Sequence, residues 1–333
     1  MTNRLSRRHL GVFLVVAVSL SLALAGLSVC RGRSCPAVYA APTAGQDGPW
    51  HTPASGSDAS KDAPAPPAAS KFEAFTFLHF GDPQIGFGRD GIQADKRRFI
   101  EAIRQANERK PAFVHIAGDL VHKGTPAEYA ALDDCLKRFA VPVNITPGNH
   151  DVADHATLKA YRAKYGRDYF VHTHNNCDFV LVNSMLLSAE APWFKEKDAK
   201  FRQEIDAQWQ WLAKALADAQ AKRRTHVFLL THVPPFLTRE DEKAGYSNLP
   251  QDARARLLAL CRKHAVRSIL AGHRHRTVEI PAGDVTIYVT GGTARVGDKR
   301  GFGYRVFTVH KGRIEQEYVR LAAEPKPATA PSK

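Results

Sequence analysis

The sequence predicts an α/β fold: a four-layer α/β/β/α sandwich, two mixed sheets packed face to face with flanking helices outside. Three observations carry this. Short, mostly apolar runs at 75–80, 113–117, 141–146, 227–230 and 268–271 have strand length and read as strands buried on both faces. Helical patterns lie between them. Phe99, Ile100 and Ile103 share one face, and Phe201, Ile205, Trp209, Leu212 and Leu216 recur at three- and four-residue spacing. Near the end, 277–290 and 304–320 look like hairpin-type strands turning at Gly283 and Gly312, and 179–183 supplies one more strand.

Taken from its start, the chain opens with an address label at 1–40. Arg4, Arg7 and Arg8 precede an apolar run at 10–29 that is long enough to enter a membrane. Ser6-Arg7-Arg8-His9-Leu10 looks like a twin-arginine signal, so an exported, periplasmic or extracellular protein is expected. Val38-Tyr39-Ala40 offers a cleavage site. The alternatives are an uncleaved membrane anchor and, through Leu27-Ser28-Val29-Cys30, a lipoprotein. Residues 41–70, rich in Ala, Pro, Ser, Gly and Asp, lack the apolar spacing to bury a face and read as a disordered linker. One domain is expected over 71–323, followed by a disordered Pro-rich tail at 324–333.

The formal charge is +14, and the leader holds five arginines and no acid, so the remainder keeps +9. Such a balance can draw in phosphorylated substrates, anionic lipid or nucleic acid. Its lysines and arginines are scattered and form no single stripe, so nucleic acid is not the favoured partner. Cys135, Cys177 and Cys261 match no zinc or disulfide spacing.

Five motifs each begin where an apolar strand ends, the place where open α/β sheets gather ligands. They are Gly81-Asp82-Pro83-Gln84, Gly118-Asp119, Gly148-Asn149-His150-Asp151, Thr231-His232 and Gly272-His273-Arg274-His275. Together they offer oxygen and imidazole donors enough for a dinuclear metal site. Two divalent ions about 3.5–4 Å apart need a shared carboxylate, for which Asp119 is the candidate. Donors of this kind suit manganese, iron or zinc. The glycines allow sharp turns and close approach. His9, His51, His155 and His310 stand away from strand ends and read as surface or leader residues.

The ordered set resembles the calcineurin-like metallophosphoesterase superfamily over about 75–319. Asp82-Pro83-Gln84, the Gly-Asp-Leu-Val-His run at 118–122 and the Gly-His-Arg-His-Arg run at 272–276 resemble its subgroup of calcineurin-like phosphoesterase-domain-containing protein phosphatases. Gln208-Trp209 and 246–249 fit the same subgroup. The resemblance implies that Asp82, Gln84, Asp119 and His275 hold one metal, and that Asp119, Asn149, His232 and His273 hold the other. It further implies that His150, steered by Asp151, lies near the leaving oxygen as proton donor or transition-state stabiliser without binding metal directly. Gln84 stands where a histidine is usual, and its neutral carboxamide is a weaker donor to zinc, which tilts that site toward manganese or iron.

The reaction expected is in-line attack on phosphorus by a metal-bridging hydroxide, with Arg274 and Arg276 as candidates for the substrate phosphate. A phosphorylated small molecule or phosphoprotein is the expected substrate. The rival readings are a phosphodiesterase acting on cyclic nucleotides or nucleic acid and a non-catalytic binding module. Loops 188–200 and 236–251, with Trp193, Phe194, Phe236 and Tyr246, are candidate pocket walls.

Overall fold

In the computed structural model, residues 72–188, 190–192 and 199–322 are described. The leader, the linker, Trp193, Phe194 and the tail at 324–333 lie outside them. One sheet contains β1 (Phe75–Phe80), β2 (Val114–Ile116), β3 (Val143–Ile145), β10 (Gly303–Val309) and β11 (Ile314–Arg320), in the order β11-β10-β1-β2-β3. The other contains β4 (Phe170–His174), β5 (Cys177–Leu181), β6 (His226–Leu230), β7 (Ser268–Ala271), β8 (Val278–Ala282) and β9 (Val285–Val289), in the order β4-β5-β6-β7-β9-β8. Both are mixed, as expected: β1-β2-β3 and β5-β6-β7-β9 run parallel, while β10, β11, β4 and β8 pair antiparallel.

Strand alternation sorts the side chains into two cores. Phe77, Phe113 and Phe307 from one sheet meet Phe179 and Phe228 from the other, with Phe77 to Phe179 centroids 4.9 Å apart and Phe77 to Phe228 centroids 5.3 Å apart. These edge-to-face rings fill the layer between the sheets. The intervening residues turn the other way: Leu78, Phe80, Val180 and Leu229 join the core that includes helical Phe99, Leu212 and Leu257. Five helices are described: α1 (Gly91–Glu108), α2 (Pro126–Leu136), α3 (His155–Tyr165), α4 (Ala199–Ala221) and α5 (Gln251–Lys263). The amide of Gln208 on α4 clasps the backbone after β5, accepting from Asn183 N at 2.8 Å and donating to Asn183 O and Leu186 O. None of the described helices is long and apolar enough to cross a membrane.

The predicted strands agree with the observed ones to within a few residues, and both hairpins turn where expected. The sequence reading did not single out α2, α3, α5 or β4. The β4-β5 hairpin turns on Asn175 and Asn176, both in the left-handed region at φ 44° and 57°, which suits a two-residue turn.

Candidate metal centre

All five motifs follow C-terminal ends of parallel strands, three on the first sheet (β1, β2, β3) and two on the second (β6, β7). The junction of the two sheets brings them together. Asp119, His232 and His273 are buried, with one ligand atom of each lying within 4.8 Å of the others. His232 Nε2 is 3.4 Å from Asp119 Oδ1, 3.2 Å from Asn149 Oδ1 and 3.2 Å from His273 Nδ1. Asp82 is 3.7 Å from His232 Nδ1 and accepts the His273 N–H at 2.9 Å. Gln84 is buried, and its N–H donates to Asp119 O at 2.8 Å. His275 stands outside the tight trio, on the side of Asp82, whose carboxyl feels its charge.

Hydrogen bonding decides which imidazole nitrogen faces inward. A backbone carbonyl can only accept, so the nitrogen beside it must carry the proton. Ala117 O takes His232 Nδ1–H, Tyr246 O takes His273 Nε2–H at 2.6 Å, and Arg295 O takes His275 Nδ1–H at 3.2 Å. The opposite nitrogen of each ring is left as a lone pair, the arrangement by which metal-binding histidines are oriented. The Asn149 NH2 likewise points away, donating to Tyr246 Oη at 2.8 Å. Lone pairs of His232 Nε2, His273 Nδ1, Asn149 Oδ1 and Asp119 Oδ1 therefore converge with no donor among them unless a ring gains a proton. Gln84 Oε1 is buried without a hydrogen-bond partner. This donor set fits divalent cations.

Electrostatics say the same. Burial opposes charge on Asp119, yet the His232, His150 and His273 imidazoles hold its carboxyl below the usual range. Burial also opposes a proton on His232, but Asp119 and Asp82 outweigh it and lift the ring to about 9. Burial, reinforced by His232, pushes His273 down to about 3. Without a metal, one proton on His232 is what reconciles the cluster; ligands of this kind exchange such protons for a cation.

The backbone is strained here. Of the nine non-glycine residues with positive φ among those described, Gln84 (32°), Asp119 (48°), His273 (67°) and His275 (49°) belong to this cluster. Such outliers gather where function over-determines the chain. Gly118 has φ 78°, and Gly148 leaves no room for a side chain, because a Cβ there would meet Asp119 Oδ1 at 2.2 Å.

His150 donates Nδ1–H to His122 O at 2.7 Å, and its own N–H donates to Asp119 Oδ1 at 2.9 Å. The expectation that Asp151 steers the His150 ring is corrected: its carboxylate instead accepts the N–H groups of Gly148 at 2.8 Å and Leu120 at 3.1 Å. Two strand-end loops are thereby joined. Burial, then Asp119, raise the Asp151 carboxyl to about 7. Arg274 is half-buried and Arg276 exposed, and neither guanidinium has an acidic partner among the described residues. Phe236, 2% exposed, belongs to the core, whereas Tyr246 is 52% exposed and stands against the His273 ring.

Fold and site together define a metal-dependent phosphoric ester hydrolase. The family model described as calcineurin-like phosphoesterase matches residues 75–277, and the chain belongs to that family. It is 27% identical over 234 residues to serine/threonine-protein phosphatase CPPED1 of Mus musculus, covering 67% of this chain and 72% of that protein. It is 26% identical over 245 residues to a cAMP/cGMP dual specificity phosphodiesterase of Mycobacterium tuberculosis, covering 68% and 72%. Among solved structures, a dimetal phosphatase from Danio rerio superposes with TM-score 0.58 at 14% identity, over 73% of this chain and 95% of that one. A purple acid phosphatase from yellow lupin gives 0.55 at 15% identity, over 76% and 52%. At these identities the structural likeness is one of fold.

Proposed function

We propose that the centre holds two divalent cations, manganese, iron or zinc, and hydrolyses phosphomonoesters, phosphoserine and phosphothreonine in proteins among them. Asp82, Gln84, Asp119 and His275 would hold one cation, and Asp119, Asn149, His232 and His273 the other. The observation that carries this is the convergence of lone pairs whose companion N–H groups are all tied outward to carbonyls or to Tyr246. Similarity to the CPPED1 phosphatases supports the monoester class. Export rests on the twin-arginine-like leader.

Bound cations supply Lewis acidity toward water and neutralise phosphoryl charge. The chain supplies the rest. His122 O fixes His150 Nδ1–H, so Nε2 is the nitrogen that, when the ring carries a second proton, gives that proton to the departing oxygen. Arg274, with no acidic partner among the described residues, is available for a phosphoryl oxygen.

The test is elemental analysis beside turnover of p-nitrophenyl phosphate and bis-p-nitrophenyl phosphate. Two metals per chain and monoester preference are expected. Turnover should be abolished in Asp119→Asn and lowered by about 10²- to 10⁴-fold in His150→Ala. Diester preference would favour the phosphodiesterase reading, to which the mycobacterial relative lends support. Absence of both metal and turnover would leave a binding module.

A further inference from the structure

We infer that Tyr246 donates its phenolic proton to a phosphoryl oxygen of the substrate and is directed there by Asn149. The inference rests on the proposed reading of Asn149 as a cation ligand. An amide whose oxygen faces a cation must turn its NH2 group the other way, and Asn149 Nδ2 meets Tyr246 Oη at 2.8 Å. The phenol oxygen is then the acceptor of that bond. Its single proton is unspent: Tyr246 has no other side-chain hydrogen bond among the described residues, and it stands half-exposed beside Asn149 and His273. A neutral phenol keeps this proton near neutral pH.

The exposed position is nonetheless fixed. Tyr246 belongs to the segment between β6 and α5, which is clasped from behind. Arg254 on α5, 1% exposed, donates to Glu240 O at 2.7 Å, Glu242 O at 2.7 Å and Leu249 O at 3.0 Å. Asn248 Oδ1 takes the Gly245 N–H at 2.9 Å, and Tyr246 O is bound to His273. A residue held on both sides places a hydroxyl with little entropy left to lose. A monoester dianion spreads two charges over three unesterified oxygens and a diester one charge over two, so the monoester oxygen is the stronger acceptor and this donor favours monoesters.

Calorimetric titration of the manganese-loaded protein with inorganic phosphate tests the inference in four forms: wild type, Tyr246→Phe, Asn149→Asp and the double variant. Metal content is read beside each. Tyr246→Phe should bind phosphate about tenfold more weakly while keeping its metals, as for loss of one hydrogen bond to a charged group. In the Asn149→Asp background the carboxylate already captures the phenolic proton, so adding Tyr246→Phe should change phosphate affinity by less than about twofold. Wild-type affinity in Tyr246→Phe, an equal penalty in both backgrounds, or loss of metal from Tyr246→Phe would each overturn the inference. A wild type that takes up neither metal nor phosphate would overturn the proposed function itself.

Discussion

Gln84 carries two costs at once. Its backbone sits at φ 32°, and its buried Oε1 has no hydrogen-bond partner. An unsatisfied buried polar atom costs about 1–3 kcal/mol, and a left-handed non-glycine residue costs a similar amount. A cation beside the carboxamide oxygen offsets the first directly. Because imidazole is the stronger donor to zinc, Gln84→His should tighten zinc binding and shift preference away from manganese. Elemental analysis after dialysis against equimolar manganese and zinc would show it, and an unchanged metal ratio would defeat the idea. At this scale the candidate donors were legible in the sequence, because each of their motifs begins with a glycine or a threonine at a strand end. The carbonyls of Ala117, His122, Tyr246 and Arg295 that fix the four imidazoles were not, since a main-chain oxygen is common to every residue type.

Between the residue and the fold lie the loops, and the 237–249 segment shows how one is made rigid without regular structure. Glu242 accepts the N–H groups of Leu237 and Thr238 at 2.9 Å, and Asn248 donates its amide to the same carboxylate. Arg254 gathers three carbonyls from beneath. Arg254→Met would leave those carbonyls buried with nothing of comparable reach to bond them. We expect a loss of about 3 kcal/mol or more in chemical denaturation, together with weaker manganese binding, because the Tyr246–His273 bond depends on this loop. Full cation affinity in a destabilised variant would uncouple loop from site. The apolar period of α1 and α4 was plain in the sequence, but α2, α3 and α5 are shorter, and α2 and α3 also carry weaker apolar faces. The signals of α2 and α3 are local instead: Thr125 and Glu128 form a capping box with Pro126 at the first helical position, and Asp154 pairs with Thr157 in a second capping box. β4, Phe-Val-His-Thr-His, is an edge strand whose residues alternate between half-buried and exposed without an alternation of apolar and polar types, and Asn175-Asn176 was the available clue to its hairpin.

For the whole molecule, the layer between the sheets is what sets the two halves of the centre against each other. The adjacency of β10 to β1 has no local sequence signal, because it joins segments more than two hundred residues apart; the inward phenylalanines show it only once the register Phe77 to Phe307 is known. The same layer contains two fully buried histidines. His79 Nε2–H donates to Ala271 O of the opposite sheet at 3.2 Å, which leaves His79 Nδ1 to accept from His115 Nδ1–H at 2.9 Å, and His115 Nε2 faces Thr146 Oγ1 at 3.3 Å. The chain is self-consistent only with both rings neutral. Burial, with the Arg305 charge adding to it, pushes His79 down to about 3, and burial with His79 lowers His115 well below its ordinary value. In the unfolded chain both rings titrate near 6.5, so below that pH the unfolded state takes up protons that the native state refuses. Their contribution to stability is therefore complete above 6.5 and is lost as pH falls toward 3, by up to about 1.4 kcal/mol per pH unit for each ring. The double variant His79→Leu with His115→Leu removes both ends of the ring-to-ring bond, so little is left unpaired between them. Denaturation free energies of wild type and double variant, measured from pH 7 to 4, should diverge in slope, with the variant losing less on acidification. Other histidines titrate equally in both proteins and cancel in the difference. Parallel curves would mean that the pair is not held neutral, and that the inter-sheet layer tolerates a charge its packing leaves no room to solvate.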